Sequence, residues 1–490
     1  MTQPVFGLQF LLQSESNLLP AFGDFSVLGV ALPSDDANAT IFPLDTPVDI
    51  NTGDQTILAA MGTGDLYKWA LRVNKQLEDL QRSARAVVVR VAEGADEDET
   101  ISNIIGDPAA GTGLYALLNA PTILGVTPRI TGAPGHTGST KFGISSPVTI
   151  TAPGTGYTSA TVAFDPVGAA GTVTVSGGAV TAINLTNPGD YADGTTVTAT
   201  ITGDGTGATA TPTLARLANP ICAVLPTINE ALMAHSIVGG PGTTKTEAIA
   251  WHQTLNSKTL IPVDNWEIVK RIDGEEGNEY VDGASAAMGV AVRVDFLHEG
   301  LPFWSFANQP VQGLLGLKRP DSFSIIDGAT TGQELLAAGI GITQLGDRSD
   351  TSLTDTGWQL ICYKNASSDP TWELLNKSRG RDFIHHSLIK SIRRHLGREN
   401  IGRHSVQAVL NDMGALNSFL ASKECIFPEW RVGFSAADNT IAGLRACRFT
   451  VYEKAEQPAP ILLVTVKSGL YAPALAAELS ALNSELQSVL

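Results

Sequence analysis

The chain has 490 residues, 43% of them hydrophobic and 17% charged, and carries a formal net charge of −17. Its length suggests roughly two to four domains, because single cores stop growing near about 250–300 residues. The acidity argues against direct nucleic-acid binding, which depends on Lys and Arg neutralising phosphates, and no apolar run reaches the roughly 18 residues of a membrane span.

Met1 to Phe10 contains no basic region before an apolar run, so synthesis in a cytoplasm is expected. Residues 1–22 hold Val5, Phe6, Leu8, Phe10 and Leu12, an apolar end that needs somewhere to bury itself. It can be the first strand of its own domain or an arm that pairs with the open sheet edge of another subunit.

From Phe25 to Val91 the pattern is α/β. Phe25 to Val30 reads as a strand, Leu66 to Leu80 as a helix, and the β-branched run Ala86 to Val91 as a strand buried on both faces. The acidic patch Asp96 to Glu99 reads as an exposed loop. Gly106 to Gly113 resembles a phosphate loop but lacks its Lys-Ser/Thr pair, which removes an NTPase reading.

Composition changes abruptly after Gly135. Ser139 to about Thr213 is nearly all Gly, Thr, Ala, Val and Ser, so this stretch reads as an inserted all-β module. Within it Pro153-Gly154-Thr155-Gly156-Tyr157 is echoed by Pro188-Gly189-Asp190-Tyr191, which implies two copies of one hairpin-like unit. Gly203 to Gly207 reads as a hairpin turn rather than a calcium loop, because further carboxylates at alternate positions are missing.

The α/β pattern resumes at Ala218, with Ile221 to Leu225, a short helix over Thr227 to Met233, the run Ser236-Ile237-Val238 and a helix over Thr246 to His252. Asp282 to Gly289 is a run of small residues, followed by Gly300, Trp304 and Asn308. Leu335 to Ile342 then leads into the C-terminal part.

There two amphipathic helices are expected. Ile384, Leu388, Ile392 and Leu396 recur every fourth residue, with His385, Lys390, Arg393 and Arg394 opposite. Val406, Val409, Leu410, Met413, Leu416 and Leu420 repeat the device. Strands are expected at Trp430 to Phe434, Leu444 to Tyr452 and Ile461 to Val466, and a helical tail from Pro473 to Leu490. Residues 372–456 hold 13 Lys and Arg against 9 Asp and Glu, a basic segment in an acidic protein that suits docking onto an acidic partner.

No catalytic, cofactor-binding or metal-binding constellation is expected. The eight histidines do not gather with metal spacing, and Asp382, His386 and Ser387 lie along one helix, where they cannot converge as a triad. The four cysteines lack a disulfide framework and read as free thiols, with crosslinks between subunits through Cys425 and Cys447 as the alternative.

The order Arg379, Arg381-Asp382-Phe383-Ile384, Ser387-Leu388, helix pair, then Gly443 resembles the C-terminal domain of contractile phage tail sheath proteins. Thr127 to Gly135, Asp282 to Asn308 and Leu335 to Ile342 extend the resemblance over most of residues 23–470. It implies an α/β and α+β multidomain protein with a sheath-like core. The parts would be an exchange arm (1–22), a discontinuous α/β domain (23–138 and 214–345) and the inserted β domain on the outer surface (139–213). A tube-facing C-terminal domain (346–470) and a helical tail (471–490) would follow.

The same resemblance implies no enzymatic activity and a place in the virion tail after assembly in the host cytoplasm. Subunits would stack as hexameric rings in a helical homo-oligomer that contracts to drive a tube through the host envelope. Partners would be the tail tube protein, the baseplate and the tail terminator, with no membrane insertion. Strand exchange would use Val5, Phe6, Leu8, Phe10 and Leu12 and, from the other end, Ile461, Leu463, Val464 and Val466. Arg393, Arg394 and Arg398 would touch the tube or a neighbouring subunit. The alternatives are the sheath of a phage-like injection particle, and an adhesin or hydrolase acting through the inserted β domain.

Overall fold

The computed structural model describes residues 23–271, 276–347 and 351–487. The expected arm with Val5, Phe6, Leu8, Phe10 and Leu12 lies outside them. The chain divides into a body that runs to Pro458 and a separate unit from Ala459 onward.

The body starts with β1 (Leu28–Pro33), β2 (Pro47–Asn51), the helices α1 (Gln55–Ala60) and α2 (Asp65–Lys75), and β3 (Arg85–Val91). Then come α3 (Glu97–Ile105), α4 (Ala120–Ile123) and β4 (Ile130–Gly132). The acidic patch is helical where a loop was expected. Asp96 caps α3 by accepting from the Glu99 N–H at 2.9 Å, and Glu97 to Glu99 fill its first turn, where carboxylates meet the positive end of the helix dipole.

Next come β5 (Lys141–Ile144), β6 (Thr149–Thr155), β7 (Ala160–Asp165), β8 (Ala170–Ser176), β9 (Ala179–Asn187), β10 (Thr198–Gly203), β11 (Thr206–Thr211) and β12 (Leu214–Leu217). Strands β5 and β12 pair antiparallel, Ile144 opposite Leu214, so the chain leaves and re-enters the core side by side. Between them the other six form a sheet of their own in the order β6-β11-β10-β7-β8-β9.

That order is symmetric about the β10/β7 pair, exchanging the triplet β6, β7, β8 with β9, β10, β11. The sequence repeat is therefore a pseudo-two-fold in space. Tyr157 and Tyr191 are buried at equivalent corners, where each ring packs on a glycine with positive φ, Gly154 and Gly189. The Tyr191 hydroxyl accepts from the Ala169 N–H at 2.8 Å. Most side chains of the outer strand positions are exposed threonines.

The core resumes with α5 (Pro220–Leu232), β13 (His235–Gly239), α6 (Lys245–His252) and β14 (Leu260–Val263). Ile221 to Leu225 and Thr227 to Met233 are not separate elements, because Asn219 caps the start, Pro220 suits the first turn and Pro226 is absorbed inside one helix. The main sheet runs β14-β13-β4-β1-β3-β2, parallel except at β2. Its strands are apolar on both faces because helices cover both, which explains the unbroken Ala-Val-Val-Val run in β3.

Smaller pieces follow: β15 (Trp266–Lys270), β16 (Asn278–Asp282), α7 (Ala284–Leu297), β17 (Gln309–Val311), β18 (Gly316–Leu317), α8 (Thr331–Ala337), β19 (Ile342–Leu345) and β20 (Trp358–Ile361). Helix α7 is buried along nearly its whole length. Gly289 lets it approach α2, since a Cβ there would meet the Val73 carbonyl at 2.9 Å.

The C-terminal part contains α9 (Leu375–Ile392), α10 (Arg403–Ser422), β21 (Arg431–Phe434), α11 (Ile441–Arg445), β22 (Val451–Lys454) and, in the second unit, α12 (Ala472–Gln487). Leu444 to Tyr452 is not one strand. The Thr440 side chain caps α11 by accepting from the Gly443 N–H, and the chain turns at Cys447, φ 57°, before β22 begins.

Candidate functional site: the C-terminal assembly face

Helices α9 and α10 pack around a second core of Phe383, Ile384, Leu416, Leu420, Cys425 and Ile426, joined by Phe25, Leu301 and Phe303 from the first part of the body. Phe25 meets Phe383 edge to face at 5.2 Å. The stripe on α9 therefore works as expected at Ile384 and in part at Leu388. It fails at Leu396, which lies beyond the helix end and is 71% exposed.

Two arginines that the pattern does not single out as buried fix this core to the rest. Arg379 is buried and donates to both oxygens of Asp295 on α7 at 3.1 and 2.8 Å. Arg381 donates to Glu453 on β22 at 2.9 Å and to the Ala455 carbonyl at 2.8 Å, and Asn417 of α10 donates to the same Glu453. The β21–β22 hairpin is thus tied to both helices by one buried carboxylate.

In this hairpin Arg431 lies opposite Lys454 and Gly433 opposite Tyr452. Among the described residues it forms a sheet of two strands, each with one edge that pairs with no other described strand. An open groove of about 1120 Å³ beside it is lined by Trp372, Arg381, His385, Trp430, Arg431 and Lys454, among others.

The segment Ile461 to Val466 carries strand-like sequence but no strand. Ile461, Leu463, Val464 and Val466 are 71–86% exposed, and no ladder partner occurs among the described residues. The expected strand is therefore corrected to an unpaired apolar segment. The reason is physical: a β-strand needs a neighbour's N–H and C=O groups, and this one has none among the described residues.

The three arginines do not form one group. Arg394 is bound to Asp412 on α10, beside His395, which contacts Asp412 and Glu399 at 2.9 Å each. Burial opposes the His395 charge, but these hydrogen bonds outweigh it and raise the pKa. Arg393 and Arg398 are exposed at the α9–α10 turn, with no ion pair seen among the described residues.

The cysteines separate as well. Cys425 is buried, its thiol pushed up to about 12 by burial, so it cannot meet another subunit without opening the second core. Cys447 alone of the four is exposed. The residues that tempt a triad also diverge, since Ser387 is buried with its hydroxyl unpartnered, His386 packs on Phe25 and Asp382 faces His235 at 3.7 Å.

No family model matches the chain. It is 43% identical over 117 residues to the major tail sheath protein of Serratia phage KSP20, covering 23% of this chain and 28% of that protein. It is 35% identical over 138 residues to the tail sheath protein of Escherichia phage P2, covering 26% of this chain and 34% of that protein. The chain thus matches about a third or less of the length of these relatives. In structure it is similar to the contracted sheath of the extracellular contractile injection system PVC, with TM-score 0.56, 10% identity and coverage of 96% of this chain and 99% of that one. The contracted helical sheath of the anti-feeding prophage gives the same TM-score, identity and coverage. The chain has the fold of contractile sheath subunits and is similar in sequence to phage tail sheath proteins.

Proposed function

We propose that this chain is the sheath subunit of a contractile phage tail or of a phage-like injection particle, acting by assembly and not by catalysis. The observation that carries this is the exposed apolar segment Ile461 to Val466, which pairs with no described strand, in a chain that also holds a hairpin whose outer edges pair with none among the described residues. Donated to another copy, the segment gains backbone hydrogen bonds and buries its side chains. Such a contact between different surfaces does not close on itself and propagates into a helical stack. Hexameric rings around a tube, with residues 1–22 donated from the other end, complete the reading.

In this scheme contraction is a rigid-body rearrangement between two packings, with the exchanged strands keeping subunits connected. Arg393 and Arg398 meet an acidic surface of the tube or of a neighbour, Cys447 is the thiol placed to meet another subunit, and the inserted β sheet faces outward. The tube protein, baseplate and tail terminator are the partners, and the virion tail, assembled in the host cytoplasm, is the location.

Negative-stain electron microscopy of the purified protein, alone and with its tube protein, tests the proposal. Striated hollow tubes from the full chain, and none from a chain ending at Pro458, are expected. Discrete monomers of the full chain under every condition would refute it.

A further inference from the structure

The strand segment is not the only part of the second unit that is left uncovered. On α12, Leu475, Leu479, Leu482 and Leu486 are spaced four, three and four residues apart, which aligns them on one side of the helix. They are 47–75% exposed. The only charged residues of α12 are Glu478 and Glu485. A water-exposed leucine seam of this kind is covered in an assembled particle.

Two features of the chain identify the cover. The first is reach. Only Lys467 to Tyr471 separate the strand segment from α12, and five residues span at most about 17 Å. If the strand segment pairs with the hairpin of a second copy, α12 begins within about 17 Å of that hairpin.

The second is complementarity. Residues alternate along β21 and β22, and Glu453 points to α9 and α10, so Arg431, Tyr452 and Lys454 fall on the opposite, exposed face. In the connection between the two strands, α11 exposes Ile441 and Leu444, 72% and 36%, beside Arg445. This surface is apolar and basic, where α12 is apolar and acidic.

We propose that α12 is a clasp that docks on the hairpin and α11 of a second copy of this chain. Its leucine seam covers Tyr452, Ile441 and Leu444, and its glutamates lie opposite Arg431, Lys454 and Arg445. The proposal rests on the strand-donation reading. It adds a side-chain contact that sets how firmly a donated segment is held.

Two experiments on the full-length protein test it. In a Cys447→Ser background, one copy carries Leu479→Cys and a second, distinguishable by a tag, carries Leu444→Cys. Oxidation of the mixed assembly should give the tagged–untagged disulfide. Crosslinking within doubly substituted protein diluted to monomers would overturn the proposal, as would a product dominated by Leu479→Cys pairing with itself, or no product.

The second experiment separates failure of the clasp from failure of strand donation. A chain ending at Tyr471 keeps the strand segment and should still polymerise, at a critical concentration raised about tenfold or more. The Arg431→Glu, Arg445→Glu, Lys454→Glu chain should show a similar loss, recovered in part by Glu478→Lys with Glu485→Lys. If the chain ending at Pro458 fails to polymerise while the one ending at Tyr471 matches wild type, strand donation stands and the clasp is wrong. If both match wild type, both fail.

Discussion

Arg379 on α9 grips Asp295 on α7 through two nearly parallel hydrogen bonds, 3.1 and 2.8 Å long, with both side chains buried. The guanidinium also lies over the Phe306 ring at 5.2 Å. This joins the C-terminal helix pair to the helix buried behind the main sheet. Asp295→Ala leaves a buried cation without its partner and should cost about 3–5 kcal/mol. Arg379→Met with Asp295→Leu should cost less than the sum of the single changes. Urea unfolding of Asp295→Ala, Arg379→Met, Asp295→Leu and the Arg379→Met/Asp295→Leu double variant checks both statements, and additive losses would show that the pair does not act as a unit.

The arginines at the α9–α10 turn should behave differently from one another. Arg393→Glu with Arg398→Glu is expected to leave the unfolding midpoint unchanged while impairing co-assembly with the tube protein, read by sedimentation. Arg394→Glu places a carboxylate beside Asp412 and should lower stability by about 1 kcal/mol through lost pairing and like-charge repulsion. Wild-type assembly of the double variant would remove the docking role.

His136 follows β4 and lies between Asp65 at 3.1 Å and Glu97 at 3.0 Å, in the first turns of α2 and α3. Burial disfavours its charge, but the two carboxylates outweigh that and raise the pKa above 6.5. The stabilisation is therefore fully present below about pH 6.5 and is lost as pH rises through the raised folded value. Unfolding free energies at pH 6.5 and 8.5 should fall more for wild type than for His136→Gln. Buried Asp282, raised to about 6, and buried Glu267, raised to about 7, titrate near or within this range in both chains, so the difference between the two slopes is what reports on His136. Equal slopes would assign the pH dependence to other groups.

The inserted sheet should be removable. Joining Ile144 to Leu214 through Asn-Gly turns β5 and β12 into a two-residue hairpin. Lys141 keeps Asp98 and loses only its 3.4 Å contact with Asp190. The shortened chain should unfold within about 4 °C of wild type by calorimetry and polymerise normally. Loss of assembly would mean that the module contributes an interface.

Some of this was legible from residue order because local chemistry and tertiary role agree. The Val-rich run of β3 announces a strand buried on both faces, the leucines of α10 announce its core face, and the change of composition after Gly135 announces a separate sheet. Arg379 was legible only as part of a resemblance, because its neighbours Lys377, Ser378 and Arg381 are polar and the stretch reads as a wet helix face. The one local hint of its burial is Gly380, where a Cβ would meet the Phe303 ring at 2.6 Å. Leu444 to Tyr452 misleads for the opposite reason, since an alternating pattern is overridden by the Thr440 cap. Ile461 to Val466 shows the limit of pattern reading, because an apolar run says that a segment wants a neighbour and not which chain provides it.

The symmetric order of the inserted sheet makes its two repeats depend on each other. Strand β6 pairs with β11 of the second repeat, and β9 pairs with β8 of the first, so each repeat completes the other. Half of the module would leave an unfilled slot at each side and would not persist as a folded monomer. A chain carrying one repeat alone would complete its sheet only by pairing with a second such chain.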